Sequence, residues 1–286
     1  MGVRDNTSCM EEAALSTASF SDATISLLGH CSLCPRACGA NRVAGVRGVC
    51  GAADELRIAR AALHFWEEPP ISGNVGSGAV FFSNCPLHCV YCQNEPIANG
   101  SCGVDVSVRR LARIFLELQD QGALNVNLVT PTHYVPQIIE AAKLAREAGL
   151  TIPFVYNTSG YETPETIALL KGLVDTYLVD FRYIDAQTAR SYSKAPTYPE
   201  FAMASLDAMV EQGAHVIVRV LLLPTHLEET KRIVRYVHET YAVQETLGQL
   251  KLSLMSQYTP IGTFPLHPEL EQRVDPEAFE ELLDYA

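Results

Sequence analysis

Three cysteines stand close together at Cys85, Cys89 and Cys92, and no other feature constrains the fold of this 286-residue chain as strongly. They follow an apolar run that ends at Phe82, where a buried strand would stop. A loop of the pattern C-x3-C-x2-C can place three thiolates on three irons of one cubane. Clusters of the [4Fe–4S] type normally take four thiolates, so three predict one iron that is open to a substrate or cofactor. A structural zinc knuckle or an ordinary four-cysteine cluster is the alternative.

A second array lies nearer the amino terminus. It supplies four thiolates within twenty residues, from Cys31, Cys34, Cys38 and Cys50. Four closely spaced thiolates suit tetrahedral zinc and an iron–sulfur cluster equally well, so the spacing does not choose the metal. The segment is too short to hold a core of its own, and we expect bound metal to keep it folded.

Composition narrows the class of protein. With 48% hydrophobic residues the chain can bury the core of one large domain. The formal charge of −12 argues against nucleic acid as a partner, and no apolar run approaches the length of a membrane span. The start of the chain lacks the profile of a signal peptide, so the cysteines predict metal ligation in the cytoplasm rather than disulfides. Cys9 and Cys102 are left as ordinary thiols.

From residue 78 onward, apolar segments alternate with amphipathic ones. The predicted strands are 78–84, 124–130, 152–158, 174–180, 214–223 and 251–257, and the predicted helices are 108–121, 135–148, 164–171, 199–212, 227–241 and 276–283. Six such units predict an α/β fold with a parallel sheet covered by helices. Right-handed crossovers would curl the sheet into part of a barrel. A doubly wound open sheet would give the same pattern. Upstream, 56–65 is predicted to be extended and 11–28 helical.

The first predicted strand ends at the cysteine loop, the others end in polar side chains, and the fifth also carries Arg219 within it. In α/β barrels the chemistry lies at the carboxyl ends of the strands, so we expect these side chains to contact a ligand. They are Thr130, Thr132, His133, Asn157, Thr158, Asp180, Arg182, Arg219 and Gln257. Thr132 and Thr158 could instead cap the helices that follow them.

The cysteine loop resembles that of the radical S-adenosylmethionine (SAM) superfamily, in which the residue before the third cysteine is an aromatic that lies against adenine, as Tyr91 would here. Longer stretches resemble enzymes that activate glycyl-radical enzymes, such as pyruvate formate-lyase activating enzyme, and especially the PflX branch. These stretches are 63–73, 92–94, 129–133, 156–161 and 254–258, and the amino-terminal cysteine array also looks like that branch.

The resemblance implies a partial (β/α)6 radical-SAM barrel in which Cys85, Cys89 and Cys92 hold a [4Fe–4S] cluster with SAM on its open iron. Reduction of the cluster would cleave SAM to a 5'-deoxyadenosyl radical that abstracts hydrogen from a substrate. The implied electron donor is reduced flavodoxin or ferredoxin, and the implied partner is a glycyl-radical enzyme. A radical SAM enzyme with another substrate and a non-catalytic iron–sulfur electron carrier are the alternatives.

The chemistry of SAM suggests roles for the predicted contacts. Arg219 suits the carboxylate, because a guanidinium binds carboxylate through two hydrogen bonds. Asp180 and Asn157 suit the ribose or a bound cation, and Thr130 and Thr132 suit the amino group. The predicted organisation is a leader at 1–30, a four-cysteine metal-binding module at 31–55, a radical-SAM core at 56–262 and a tail at 263–286.

Overall fold

The computed structural model describes residues 20–286, and its framework is one eight-stranded sheet. The strands are β1 (Leu56–His64), β2 (Ser77–Phe82), β3 (Val104–Val106), β4 (Val126–Val129), β5 (Phe154–Thr158), β6 (Thr176–Asp180), β7 (His215–Leu221) and β8 (Leu250–Met255). Their order across the sheet is β3-β1-β2-β4-β5-β6-β7-β8. Strand β1 is antiparallel to both of its neighbours, whereas β2 and β4 to β8 form a continuous parallel set.

Helices connect these strands. They are α1 (Asp22–Gly29), α2 (Pro69–Ser72), α3 (Glu95–Ala98), α4 (Val108–Asp120), α5 (Val135–Glu147), α6 (Pro164–Ala168), α7 (Ala186–Ser193), α8 (Tyr198–Glu211), α9 (Leu227–Thr246) and α10 (Pro276–Tyr285). Short 3-10 helices lie at Arg42–Ala44, Thr132–Tyr134 and Pro268–Glu271. Within residues 20–286 no helix combines the length and apolarity needed to cross a bilayer.

The strand order distinguishes the two sheet architectures that the sequence allowed. In a doubly wound sheet the order reverses at a switch point. Here the six parallel strands follow one another across the sheet in chain order without reversal. Successive right-handed crossovers then carry the connecting helices to the same face. The predicted α/β fold is confirmed, with an open parallel sheet of the kind found in a partial radical-SAM barrel.

The local sequence accounts for most of these elements. In α4, the Ser107 hydroxyl accepts a hydrogen bond from the Arg110 amide at 3.1 Å, as a helix cap does. Leu111, Phe115 and Leu118 lie fully buried along one face of this helix. Helix α9 continues to Thr246, five residues past its predicted end, across a residue with non-helical backbone angles at Tyr241.

Strand β3, the helices α2, α3 and α7 and the three 3-10 helices were not predicted. Strand β3 has three residues, and α7 offers only Ala189, Tyr192 and Ser193 to the interior, so neither shows a clear periodicity. The predicted helix over 11–28 is described only from residue 20 onward, where α1 begins at Asp22. The rest of that prediction, and Cys9, lie outside the described residues.

Candidate active site

A cavity of about 400 Å³ opens at the carboxyl ends of the parallel strands. All six strands contribute to its wall, because parallel strands end at the same edge of a sheet. Three of the cysteines, Cys85, Cys89 and Cys92, line one side of it. The arrangement therefore brings a potential metal-binding loop and the strand-end polar groups to a single space.

The cysteine loop leaves β2 through a left-handed residue, Asn84, with φ at 73°. The backbone of Gly100 packs against this side chain so closely that a Cβ there would lie 2.3 Å from the Asn84 Oδ1 atom. Within the loop, the amide of Leu87 donates to the Cys85 Sγ atom at 3.4 Å, and the buried Leu87 side chain anchors the turn in the core. The loop thus has a defined conformation with its sulfurs toward the cavity.

Burial favours the neutral form of the Cys85 thiol. Burial, together with the neighbouring Cys89 sulfur, raises the pKa of Cys85 to about 12. A thiolate at this position is therefore stable only beside positive charge, which iron would supply. Three free thiols facing one cavity fit a cluster with one open iron.

Most of the predicted cofactor contacts line this cavity. They are Tyr91, Thr130, Asn157, Thr158, Asp180, Arg182, Arg219 and Gln257. Thr132 and His133 are not brought to it, because the chain turns into the 3-10 helix at Thr132–Tyr134 directly after β4 and carries both side chains into the core. There the His133 Nε2 atom lies 2.8 Å from the Ser83 carbonyl.

Thr132 instead contacts a buried carboxyl group that the sequence did not single out, that of Glu162. The Thr132 hydroxyl donates to Glu162 at 2.6 Å, and the Thr158 hydroxyl donates to the same oxygen. Burial raises the pKa of Glu162 even though these donors oppose the shift. Thr158 also lines the cavity, so its hydrogen bond to Glu162 holds one side chain of the cavity wall in place.

Arg219 is the centre of a charge network at the inner end of the cavity. Its Nε donates to Asp180 at 2.7 Å, one terminal nitrogen donates to Glu67 at 2.8 Å and the other to Asn157 at 2.8 Å. The Arg219 and Glu67 side chains are only 13% and 11% exposed, so they form a largely buried pair. The predicted binding of the SAM carboxylate by Arg219 stays a prediction, and the guanidinium already has three acceptors.

Glu67 is a site residue that sequence reasoning missed. It lies in the segment between β1 and α2, and its second oxygen accepts from the Asn157 and Asn127 amides at 2.9 and 3.1 Å. The signal that could have found it is the stretch 63–73, which carries part of the family resemblance. Glu67 does not belong to an apolar periodicity, so the sequence pattern did not indicate that its carboxylate is buried.

Tyr91 belongs to the cysteine loop, and Arg182 lines the same cavity. Arg182 donates to Asp180 at 2.8 Å, and within the described part of the chain its buried Nε has no hydrogen-bond partner. The Tyr91 ring is 4% exposed and packs edge-on against the Tyr192 and Tyr258 rings. Burial raises the pKa of Tyr91 and that of its hydrogen-bond partner Tyr183, so both remain neutral phenols.

The amino-terminal cysteine array forms a separate cluster of thiols. Cys31, Cys34 and Cys50 are buried, and Cys38 is exposed. A Cβ atom added to Gly48 would lie 3.3 Å from the Cys38 sulfur and 3.4 Å from the Cys50 sulfur, so these two sulfurs face a common space. Among residues 20–286, however, no three cysteine, histidine or carboxylate side chains converge on a position where they could share a single ion.

Comparison with known proteins identifies the family. The model of the radical SAM superfamily matches residues 79–237, which include the three cysteines of the loop and more than half of the chain. The chain belongs to the radical SAM superfamily. Membership supports a [4Fe–4S] cluster, SAM binding and cleavage of SAM to a radical.

This radical SAM protein is similar in sequence or in structure to several individual proteins. An uncharacterised protein of Methanocaldococcus jannaschii is 29% identical over 268 residues, which cover 90% of this chain and 74% of the relative. Among solved structures, the chain is similar to SuiB of Streptococcus suis, with 16% identity, 70% coverage and a TM-score of 0.49. It is also similar to TsrM of Kitasatospora setae, a radical SAM methyltransferase, with 18% identity, 63% coverage and a TM-score of 0.44. The chain spans 43% and 36% of these two proteins.

Proposed function

We propose that this protein is a radical SAM enzyme whose catalytic cluster is held by Cys85, Cys89 and Cys92. The observation that carries the proposal is the convergence of these three free thiols on the cavity that all six parallel strands line. The cluster held by these cysteines would supply one electron for the reductive cleavage of SAM, which would allow a hydrogen atom to be abstracted from the substrate. The protein orients SAM and excludes water from the reacting atoms.

The side chains around the cavity have complementary roles in this proposal. Tyr91 packs against the adenine, and Asp180 binds the ribose. Arg182 joins Arg219 as a binding partner of the SAM carboxylate, because its Nε lies beside the cysteine loop and has no hydrogen-bond partner among residues 20–286. Arg219 keeps Glu67 and Asp180 neutralised at the inner end of the cavity. Thr130, Thr158 and Gln257 supply further polar contacts from three different strand ends.

The test is anaerobic reconstitution of the chain with iron and sulfide, followed by addition of dithionite and SAM and chromatography of the products. We expect 5'-deoxyadenosine and methionine to form only when dithionite and SAM are both present, because cleavage requires one electron. A cluster that is fully loaded and reduced by dithionite but yields no 5'-deoxyadenosine would contradict the proposal and would support the electron carrier.

For the hydrogen donor, we propose a backbone glycine of a partner protein of the glycyl-radical type. The stretches 63–73 and 254–258, which resemble activating enzymes, support this choice, and both contribute to the cavity wall. In the same assay, a pyruvate formate-lyase-like protein with deuterium at its glycine Cα atoms should transfer deuterium to 5'-deoxyadenosine. Product without deuterium would point to another substrate. Reduced flavodoxin or ferredoxin should replace dithionite as the electron donor.

For Cys31, Cys34, Cys38 and Cys50, we propose a second metal centre in the form of an iron–sulfur cluster, and the Cys38 and Cys50 sulfurs, which face a common space, support metal binding there. Zinc–sulfur bonds of about 2.3 Å would draw all four thiolates around one ion, whereas each thiolate of a cubane meets a different iron. We expect the variant Cys85→Ala/Cys89→Ala/Cys92→Ala to retain about half of the wild-type iron and sulfide after reconstitution. One zinc per chain, with no iron in this variant, would contradict the cluster.

A further inference from the structure

The carboxyl end of α7 docks directly on the cysteine loop. The Val90 amide donates to the Tyr192 carbonyl at 2.8 Å, which fixes the end of the helix against the loop backbone. One residue further, the Ser193 hydroxyl donates to the Cys89 Sγ atom at 3.2 Å. Ser193 has no exposed surface, so no water competes for this sulfur from that side.

Ser193 is also the last member of a chain of three hydroxyl groups. The Tyr91 and Tyr183 oxygens lie 2.8 Å apart, and the Tyr183 and Ser193 oxygens also lie 2.8 Å apart. Each hydroxyl has one proton, and a metal-bound thiolate has none to donate. Ser193 must therefore donate to Cys89, Tyr183 to Ser193 and Tyr91 to Tyr183. This direction polarises every bond toward the sulfur.

The position of Ser193 is fixed by Arg36, which extends from the amino-terminal cysteine array. Arg36 donates to the Ser193 and Lys194 carbonyls at 2.9 and 2.5 Å. The same guanidinium donates to the Pro86 and Leu87 carbonyls of the cysteine loop at 2.9 and 3.1 Å. The donor hydroxyl and the loop that carries its acceptor sulfur are thus held by one side chain.

We propose that Ser193 is a positioning residue that raises the reduction potential of the cluster by donating a hydrogen bond to Cys89. One-electron reduction adds negative charge to the cluster, and a donor at a ligand sulfur stabilises the reduced form more than the oxidised form. The inference rests on the proposed function, because it requires Cys89 to be a cluster ligand. Its consequence is that less strongly reducing electron donors suffice for SAM cleavage.

The experiment is an anaerobic redox titration of the full-length reconstituted protein, followed by electron paramagnetic resonance. The catalytic cluster is identified as the signal that changes when SAM is added. In Ser193→Ala, the midpoint potential should become more negative, so that at a fixed potential the ratio of reduced to oxidised cluster falls at least about threefold, as loss of a charge-assisted hydrogen bond implies. Tyr183→Phe should shift the potential in the same direction by less, because Ser193 keeps its proton.

Ser205→Ala is the matched control. Ser205 is equally buried, and its hydroxyl donates to the Gly160 and Ala202 carbonyls at 3.2 Å. Its removal should leave the potential at the wild-type value. An unchanged potential in a fully loaded Ser193→Ala protein would overturn the inference. If Ser193→Ala cannot be loaded, an unshifted Tyr183→Phe protein would overturn it. A wild-type protein that shows no SAM-sensitive cluster would instead overturn the proposed function.

Discussion

The variant Cys85→Ala/Cys89→Ala/Cys92→Ala is expected to form no more 5'-deoxyadenosine than a reaction without protein. The reason is that these three cysteines are the ones that line the cavity, whereas the Cys31–Cys50 array lies outside its wall. A cluster at that second array could be reduced but would have no SAM beside it. The measurement is anaerobic product chromatography with dithionite and SAM, on protein whose iron content has been determined.

Cys102→Ala provides the control for the loss of a cysteine as such. Cys102 is exposed and contributes to neither cysteine cluster, so its replacement should leave the product yield at the wild-type level. Substantial 5'-deoxyadenosine from the triple variant would show that the radical chemistry depends on other ligands.

Arg219→Leu is expected to lower the free energy of unfolding by about 3–5 kcal/mol, the usual cost of leaving a buried charge without its partner. Arg219 is the guanidinium that faces Glu67, and with its loss Glu67 keeps only the amide donors of Asn157 and Asn127. Asp180 is affected less, because Arg182 still pairs with it. Urea unfolding followed by far-ultraviolet circular dichroism would measure the loss.

The double variant Arg219→Leu/Glu67→Leu distinguishes the free-energy cost of an unpaired buried charge from the cost of lost packing. It removes both members of the pair, so it should be more stable than Arg219→Leu alone. A loss of less than about 1 kcal/mol in Arg219→Leu would mean that the pair behaves like a solvent-exposed ion pair. That result would show that Arg219 does not stabilise the fold by neutralising the buried Glu67 carboxylate.

The fold and the loop of the candidate cluster could be predicted because their signals are local. Strand and helix periodicities need only neighbouring residues, and Cys85, Cys89 and Cys92 lie within eight positions. The polar groups at the strand ends could be predicted for a related reason, since parallel strands end at one edge. Thr132 and His133 departed from this rule because a 3-10 turn begins there, which the pattern did not indicate.

The contacts that complete the site could not be predicted, because they join distant parts of the chain. Glu67 meets Arg219 across 152 positions, and Ser193 meets Cys89 across 104. No periodicity spans such distances. Ser193 also lies in α7, whose sequence has too few apolar residues to mark it as a buried helix, so its proximity to the cysteine loop follows only from the folded structure.

The four acceptors of Arg36 impose an order on assembly. Arg36 leaves the ribosome early, but its Lys194 acceptor is 158 positions further along the chain. At about 5–20 residues per second, synthesis of that interval takes roughly 10–30 s. The amino-terminal cysteines are therefore synthesised well before Arg36 can join Ser193 and Lys194 to the cysteine loop. The proposed second metal centre could thus take up its metal on a nascent chain, whereas the cysteine loop reaches its final contacts only afterwards.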